Sequence, residues 1–258
     1  MGQYLLYAAA AVFLYMVLMF LVALGKKDNS IVDIAWGGGF ILVGILTFFL
    51  NGEITLRSLI VTCLAVIWGS RLAVYIYIRH RGKGEDFRYA RWRNEWGQWF
   101  ILRSFFQIFM LQGVLLLIIS YPVILVNHSS MEGLGLLDYF GILVWLIGFF
   151  FEAVGDYQLS RFKKNPENKG KIMTGGLWRF TRHPNYFGEA VMWWGIFLIA
   201  LSVRNGWTAV ISPVVITFLL LRVSGVIMLE KKYKDNEAYA EYARRTKAFL
   251  PWPPKKGA

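Results

Sequence analysis

The sequence is poor in cysteine, poor in charge and free of spacers. Cys63 is the single cysteine among 258 residues. That excludes an intramolecular disulfide and a thiolate metal cluster. The three histidines, His80, His128 and His183, are scattered, and no His/Glu pair has ligand spacing on a helix; no metal site is expected. A nucleophile elbow is missing, which argues against a Ser-His-Asp hydrolase. Strand–Gly-rich turn–helix units are missing too, which excludes a soluble dinucleotide fold. Charged residues make up only 17% of the chain against 57% hydrophobic residues, whereas a soluble domain carries about 25% charge. With no Ser/Gly-rich linker, low-complexity tract or repeat, residues 1–258 read as one integral membrane domain. The N-terminal apolar stretch has no basic region before it and no small-residue cleavage site, so it reads as a retained helix.

What the sequence does have is long apolar runs. They cover Tyr4–Leu24, Ile31–Leu50, Leu59–Ile78, Trp99–Val126, Leu134–Tyr157, Tyr186–Val203 and Trp207–Met228. Each approaches or passes the roughly 20 residues that a helix needs to cross a bilayer. The expected fold class is all-α: a polytopic membrane protein with seven transmembrane helices. The sixth run is the shortest and carries Glu189. Cys63 lies inside the third run and is expected as buried apolar filler. Gly37, Gly38 and Gly39 lie inside the second, where small residues allow helices to approach closely.

The charge distribution supports this count. With seven spans, the 1–2, 3–4 and 5–6 loops and the C-terminal tail share one face, and they hold 2, 6, 7 and 8 Lys/Arg. The opposite face has only Arg57 and Arg204. Such a bias marks the cytoplasmic side and puts the C-terminus there. The net charge of +12 is therefore read as basic loops beside anionic lipid, with no nucleic acid as partner. The density in the 3–4 and 5–6 loops exceeds what orientation requires and points to an anionic cytoplasmic ligand.

Ionisable groups at membrane depth are costly and need a partner or a function. Asp33, Arg71, Glu152, Asp156, Glu189 and Arg222 fall there, mostly in the cytoplasmic halves of their runs. Together they imply a polar cavity open to the cytoplasm rather than a pore. The densest chemistry is Arg182-His183-Pro184-Asn185-Tyr186-Phe187-Gly188-Glu189, preceded by a basic stretch with Gly175-Gly176. Pro184 suits a first helical turn, so Arg182 and the positive helix end would meet a phosphate. The tail from Glu230 to Lys247 has helical character and ends at Phe249-Leu250-Pro251-Trp252-Pro253-Pro254. It is either a membrane-surface helix or a lid over a cofactor site.

These residues resemble the steroid 5-alpha-reductase superfamily, in particular a bacterial branch of undefined substrate. The likeness is strongest over 155–251, in Gly155-Asp156-Tyr157, Gly175-Gly176-Leu177-Trp178, Asn185-Tyr186-Phe187-Gly188-Glu189, Leu221-Arg222 and Lys247-Ala248-Phe249-Leu250-Pro251. Val32-Asp33-Ile34-Ala35-Trp36-Gly37, Trp68-Gly69-Ser70-Arg71 and Glu85-Asp86-Phe87-Arg88-Tyr89 are weaker echoes. The resemblance implies a seven-helix reductase with a cytoplasm-facing NADPH cavity, sited in the bacterial inner membrane. It would reduce a polarised C=C bond of a sterol-, isoprenoid- or lipid-like substrate by hydride transfer. Asp156, Asn185, Glu189 and Arg222 would hold NADPH, with Arg71 and Arg179 near its phosphates. Arg182, His183, Tyr186 and Glu230 complete the cofactor set, and Lys163 stands where the steroid enzymes resemble an arginine. In those enzymes a glutamate and a tyrosine grip the substrate oxygen. Asp33 matches the first position and Trp68 the second, and an indole is no proton donor; Tyr75, Tyr77 or a neutral Asp33 are substitutes.

Two other function classes compete. Membrane methyltransferases that use S-adenosylmethionine look similar around Arg182-His183-Pro184-Asn185-Tyr186, although their tails tend to show adjacent glutamates where this chain has Glu230-Lys231. A non-catalytic lipid-binding protein is the third.

Overall fold

The computed structural model describes residues 1–255, and among them there is helix and no strand. The α-helices are α1 (Gly2–Lys26), α2 (Ile31–Leu50), α3 (Leu56–His80), α4 (Phe87–Trp96), α5 (Phe100–Arg103), α6 (Leu111–Asn127), α7 (Leu136–Lys164), α8 (Pro184–Ala200), α9 (Ile211–Phe218), α10 (Val226–Lys232) and α11 (Glu237–Arg245). Two π-helical segments, Ser104–Met110 and Leu219–Val223, interrupt the α-helical ladder.

Every apolar run of the sequence is mostly helical, with the sixth run leaving the helix after Ala200 and the seventh broken at Ser224 and Gly225. Six helical stretches are long and apolar enough to cross a membrane: Gly2–Lys26, Ile31–Leu50, Leu56–His80, Phe87–Asn127, Leu136–Lys164 and Gly206–Lys231. The chain is a multi-pass membrane protein. α8, on the sixth run, has 17 residues, which puts it at the short end of the roughly 17–25 residues of a membrane helix. Polar caps set several helix starts. Thr55 and Ser58 form a reciprocal capping box on α3, Asp86 accepts from the Arg88 backbone at α4, and Asn236 accepts from that of Tyr239 at α11.

The chain divides into two compact units. The first holds residues 1–135 and 200–209. Its closest packing is between α2 and α3, where a Cβ on Gly37 would lie 2.4 Å from the Gly69 carbonyl oxygen and one on Gly69 2.6 Å from that of Gly37. The close approach expected of the Gly37–Gly39 stretch is thus present. Tyr15 on α1 donates to the Ala35 carbonyl on α2 at 2.9 Å. Asn127 at the end of α6 donates to Thr47, Thr62 and the Gly44 carbonyl, so a fully buried amide finds its partners. Cys63, expected inside, is exposed on α3; an apolar thiol is as well placed against lipid as in a core.

The second unit holds residues 136–199 and 210 onward. Its frame is a glycine seam. Gly141, Gly148 and Gly155 recur every seven residues on α7, and Gly188 and Gly195 on α8. A Cβ on Gly148 would lie 2.6 Å from the Gly188 carbonyl oxygen, and one on Gly141 2.7 Å from that of Gly195. At Gly155 the neighbours are Pro184 and Asn185. Two helices pressed backbone to backbone hold their polar side chains in a fixed register.

Candidate functional site

The second unit builds a loop and a strap around one cavity. Gly176 has φ +58°, a conformation that side chains resist, and a Cβ there would also strike the Gln158 amide. Gln158 instead accepts from the Leu177 backbone at 2.9 Å, and the Trp178 indole donates to the Gly155 carbonyl at 3.0 Å. The loop is then laced to the tail. Thr181 donates to the Ala248 and Phe249 carbonyls, the Arg182 backbone N–H to Lys247, and that of Trp252 to Phe180. The Tyr242 hydroxyl donates to the Trp178 carbonyl. The Gly175–Trp178 and Lys247–Pro251 motifs are thus two sides of one structure.

Beneath them lies a cavity of about 340 Å³. Lys163, Lys169 and Lys171 supply positive charge on its lining, and Trp178, Tyr239 and Tyr242 supply aromatic surface. Tyr233 stacks on Tyr239 with centroids 4.9 Å apart. Burial pushes the Tyr239 hydroxyl up to about 12, with the Glu230 charge adding to it, so Tyr239 stays neutral. Burial likewise pushes Tyr242 up.

His183 lines the same cavity with only 3% of its surface exposed. Its ring stacks on Tyr186, and Nε2 lies 3.5 Å from Glu230, too far for a good hydrogen bond. Nδ1 is buried without a partner. Arg182, expected to face a phosphate, is engaged in tethering: Nε and Nη2 reach Glu230 at 2.9 and 2.5 Å, and Nη1 reaches the Ala243 and Thr246 carbonyls. One carboxylate therefore holds both Arg182 and, more loosely, His183.

The α7–α8 register brings Asn185 and Asp156 together, the amide donating to the carboxylate at 3.1 Å. The Asn185 Oδ1 is buried with no partner. Asp156, Glu152 and Glu189 are all buried. A buried carboxylate and a half-used amide are suited to hydroxyl or amide groups of a ligand.

In the first unit, Asp33 accepts from Arg88 at 2.6 Å and from the Tyr89 hydroxyl at 2.7 Å. Tyr89 is 2% exposed. Around this pair, Glu85 takes both nitrogens of an Arg93 fork and the Asn29 backbone, while Asp28 meets His80 at 2.9 Å. Burial pushes Asp86 up, but hydrogen bonds from Arg88 and the charges of Arg88 and Arg79 outweigh it and hold the carboxyl below its usual range. For Asp28 burial is outweighed in the same way by His80 and Ser30.

The remaining expected residues are placed as follows. Trp68 is 1% exposed, with its ring edge-on to Phe40 at 5.0 Å. The Tyr75 ring lies under both Arg71 and Arg79, at 5.3 and 5.7 Å. Arg179 is exposed, and so is Arg222, at the π segment of the last long helix. Lys169, Lys171, Tyr89 and Arg88 were not among the expected site residues. The tyrosine spacing 233, 239 and 242 and the density of the 161–182 basic stretch are the sequence signals that point to the cavity.

The family described as "Protein of unknown function (DUF1295)" matches residues 19–246. Among curated proteins, 3-oxo-5-alpha-steroid 4-dehydrogenase 1 of Rattus norvegicus is 27% identical over 114 residues, 43% of this chain and 40% of the rat protein. The Bos taurus protein of the same name is 32% identical over 112 residues, with the same two shares. "Probable O-methyltransferase ustE" of Ustilaginoidea virens is 48% identical over 46 residues, 18% of this chain and 16% of that protein. The chain thus spans 40% of the length of the steroid dehydrogenases it matches. No solved structure matches it.

Proposed function

Because the chain belongs to the DUF1295 family, related to the steroid 5-alpha-reductases, we propose that it is a membrane oxidoreductase using NADPH. Its substrate in this reading is a lipophilic molecule with a polarised C=C bond. One observation carries the cofactor assignment: a cavity lined by three lysines and a tyrosine cluster, with a buried His183 in its wall whose ring nitrogens lack hydrogen-bond partners. The donor set fits a phosphorylated dinucleotide. Lys163, Lys169 and Lys171 match phosphate charge, the tyrosine faces match a base, and the ring nitrogens of His183 offer unused polar atoms; Asn185, whose Oδ1 is also unused, lies off this lining. At about 340 Å³ the cavity sits at the low end of the ~300–1,000 Å³ of ligand sites, so it suits one nucleotide of the cofactor.

When bound, the reduced nicotinamide supplies a hydride to the substrate. The protein's own task is to hold the cofactor and to polarise the acceptor. Asp156, Asn185 and Glu189 bind hydroxyl and amide groups, with Tyr186, Arg71, Arg179 and Arg222 as further cofactor contacts and Glu230 fixing Arg182 and His183. Asp33 orients the Tyr89 hydroxyl and Arg88, and this pair stabilises the oxygen that gains charge, with Trp68 and Tyr75 as further substrate-end residues. Residues 1–258 act as one reductase domain, α8 makes a seventh crossing, and the basic loops and C-terminus face the cytoplasm of a bacterial inner membrane.

The O-methyltransferase match favours a second reading, S-adenosylmethionine as cosubstrate. That molecule has a sulfonium and no phosphate, which suits a lysine-lined cavity poorly. Thermal unfolding of the purified protein in detergent with NADPH, NADH or S-adenosylmethionine separates the two. The expected result is a rise in Tm with NADPH, smaller with NADH, and lost in Lys171→Gln and Asn185→Ala. A rise with S-adenosylmethionine alone overturns the proposal, and no rise with any of them leaves lipid binding without catalysis.

A further inference from the structure

The first unit carries a second concavity, whose lining includes none of the residues of the proposed reaction, although Tyr89 packs behind it. It is an open groove of about 440 Å³ lined by Trp92, Trp96, Phe106, Gln107 and Leu111. Trp92 and Trp96 lie face to face, 5.4 Å apart and 6° from parallel, so one wall is flat and rigid. Behind them is packed core, including Tyr89, Ile108 and Phe109.

The long helix forming the other wall has a graded outer face. Arg103, Gln107 and Leu111 follow one another at intervals of four residues, and all three are exposed. Arg103 sits with its guanidinium 5.9 Å from the Trp96 ring centroid and has no carboxylate partner among the described residues. Gln107 is an amide facing outward within a stretch apolar enough to cross a membrane. The π segment that carries it is pinned on its inner side, where Ser104 accepts from Asn29 at 2.9 Å and Phe105 meets Phe20. π turns are rare and frequently mark functional sites.

Charge, amide and hydrocarbon in that order match one kind of membrane molecule. We propose that the groove is a specific site for an anionic phospholipid. Its phosphate pairs with Arg103, its ester region accepts from the Gln107 amide, and an acyl chain lies between Trp92 and Leu111. An unpaired guanidinium beside a water-poor interface gains from a phosphate what no residue of this chain supplies. The flat indole wall gives the chain a surface without bends to fill.

Native mass spectrometry of the full chain from detergent, titrated with phosphatidylglycerol or phosphatidylcholine, tests this directly and needs no cofactor. The expected result is one retained phosphatidylglycerol, bound at least tenfold tighter than phosphatidylcholine. Arg103→Gln should abolish that preference, and Gln107→Leu should weaken phosphatidylglycerol about threefold. Both positions are exposed, and unchanged Tm values certify that the variants fold. Quenching of tryptophan fluorescence by a brominated phosphatidylglycerol should fall in Trp96→Phe. Equal affinity for the two lipids, or an undiminished preference in Arg103→Gln, overturns the proposal; so does tighter binding of a neutral sterol than of phosphatidylglycerol.

Discussion

Asn185 on α8 gives its side-chain amide to Asp156 on α7 at 3.1 Å, one residue on from the point where Gly155 meets Pro184. The polar pair and the glycine contact depend on each other. The backbones must touch for a side chain as short as asparagine to reach, and the amide fixes the register in which they touch.

The seam is therefore intolerant of even a methyl group. Gly148→Ala would place its Cβ 2.6 Å from the Gly188 carbonyl oxygen and 2.7 Å from the Met192 nitrogen, both backbone atoms. Overpacking of this kind costs about 1–3 kcal/mol. Thermal unfolding in detergent should show Gly148→Ala well below the parent, whereas Gly84→Ala, with nothing within 4 Å, should not move.

One buried hydroxyl makes two of the bonds that hold the strap. Thr181 is fully buried and serves the carbonyls of Ala248 and Phe249 at 3.1 and 2.8 Å. Thr181→Val keeps the volume and leaves both carbonyls without this donor, a loss of about 1–2 kcal/mol. Limited proteolysis should cut Thr181→Val after Arg245 or Lys247 several times faster than the parent, with the earlier helices protected in both.

Acid should loosen the cluster at the start of α2 and α4. Asp28 and Asp86 titrate below their ordinary range when folded, because His80, Ser30 and Arg88 favour the charged form. A depressed folded value stabilises the protein fully above the unfolded pKa of about 3.9, and the gain is lost as pH falls through the folded value. Tm measured from pH 7 down to pH 3 should drop in the parent and drop less in Asp86→Asn, which lacks the titrating group. A steeper fall in the variant would contradict this assignment.

Under the reductase reading, Asp33→Asn and Tyr89→Phe should both lower turnover. Tyr89→Phe keeps the ring in its buried place and removes only the hydroxyl that meets Asp33 at 2.7 Å. A lost group that supports the developing oxyanion costs about 100-fold or more in rate. NADPH oxidation with a panel of lipophilic enones reads it, and the Tm shift with NADPH should persist in the variant. Unchanged turnover would remove Tyr89 from the chemistry.

Much of the helical layout was legible because a bilayer demands about 20 apolar residues, a length few other constraints impose. Ile31–Leu50 agrees to the residue with α2. The sixth span was harder, since α8 stops at Ala200 and the chain through Val203 turns rather than continuing. Pairings across long separations were not readable. Nothing in the sequence says that Asp33 waits for Arg88 and Tyr89, 55 and 56 residues on. Arg182 looked free for a phosphate because Glu230 is 48 residues away in sequence, yet the two meet. The glycines of α7 repeat every seven residues, but a repeat on one helix does not name the helix that answers it. Charge at depth was also an imperfect guide: Glu152 and Asp156 are buried as expected, whereas Arg222 lies exposed.

The π segment at Ser104–Met110 has a genetic corollary. Such a turn holds one residue beyond the α-helical count, as a single-residue insertion would leave it. Deleting one residue there restores plain α-helix, and since each residue of an α-helix advances it by about 100°, the two halves would fall out of phase. Ser104 would swing from Asn29, or Gln107 from the indoles, but both could not keep their places. Among descendants of this gene, one missing codon in that stretch should be far rarer than a substitution at the same positions.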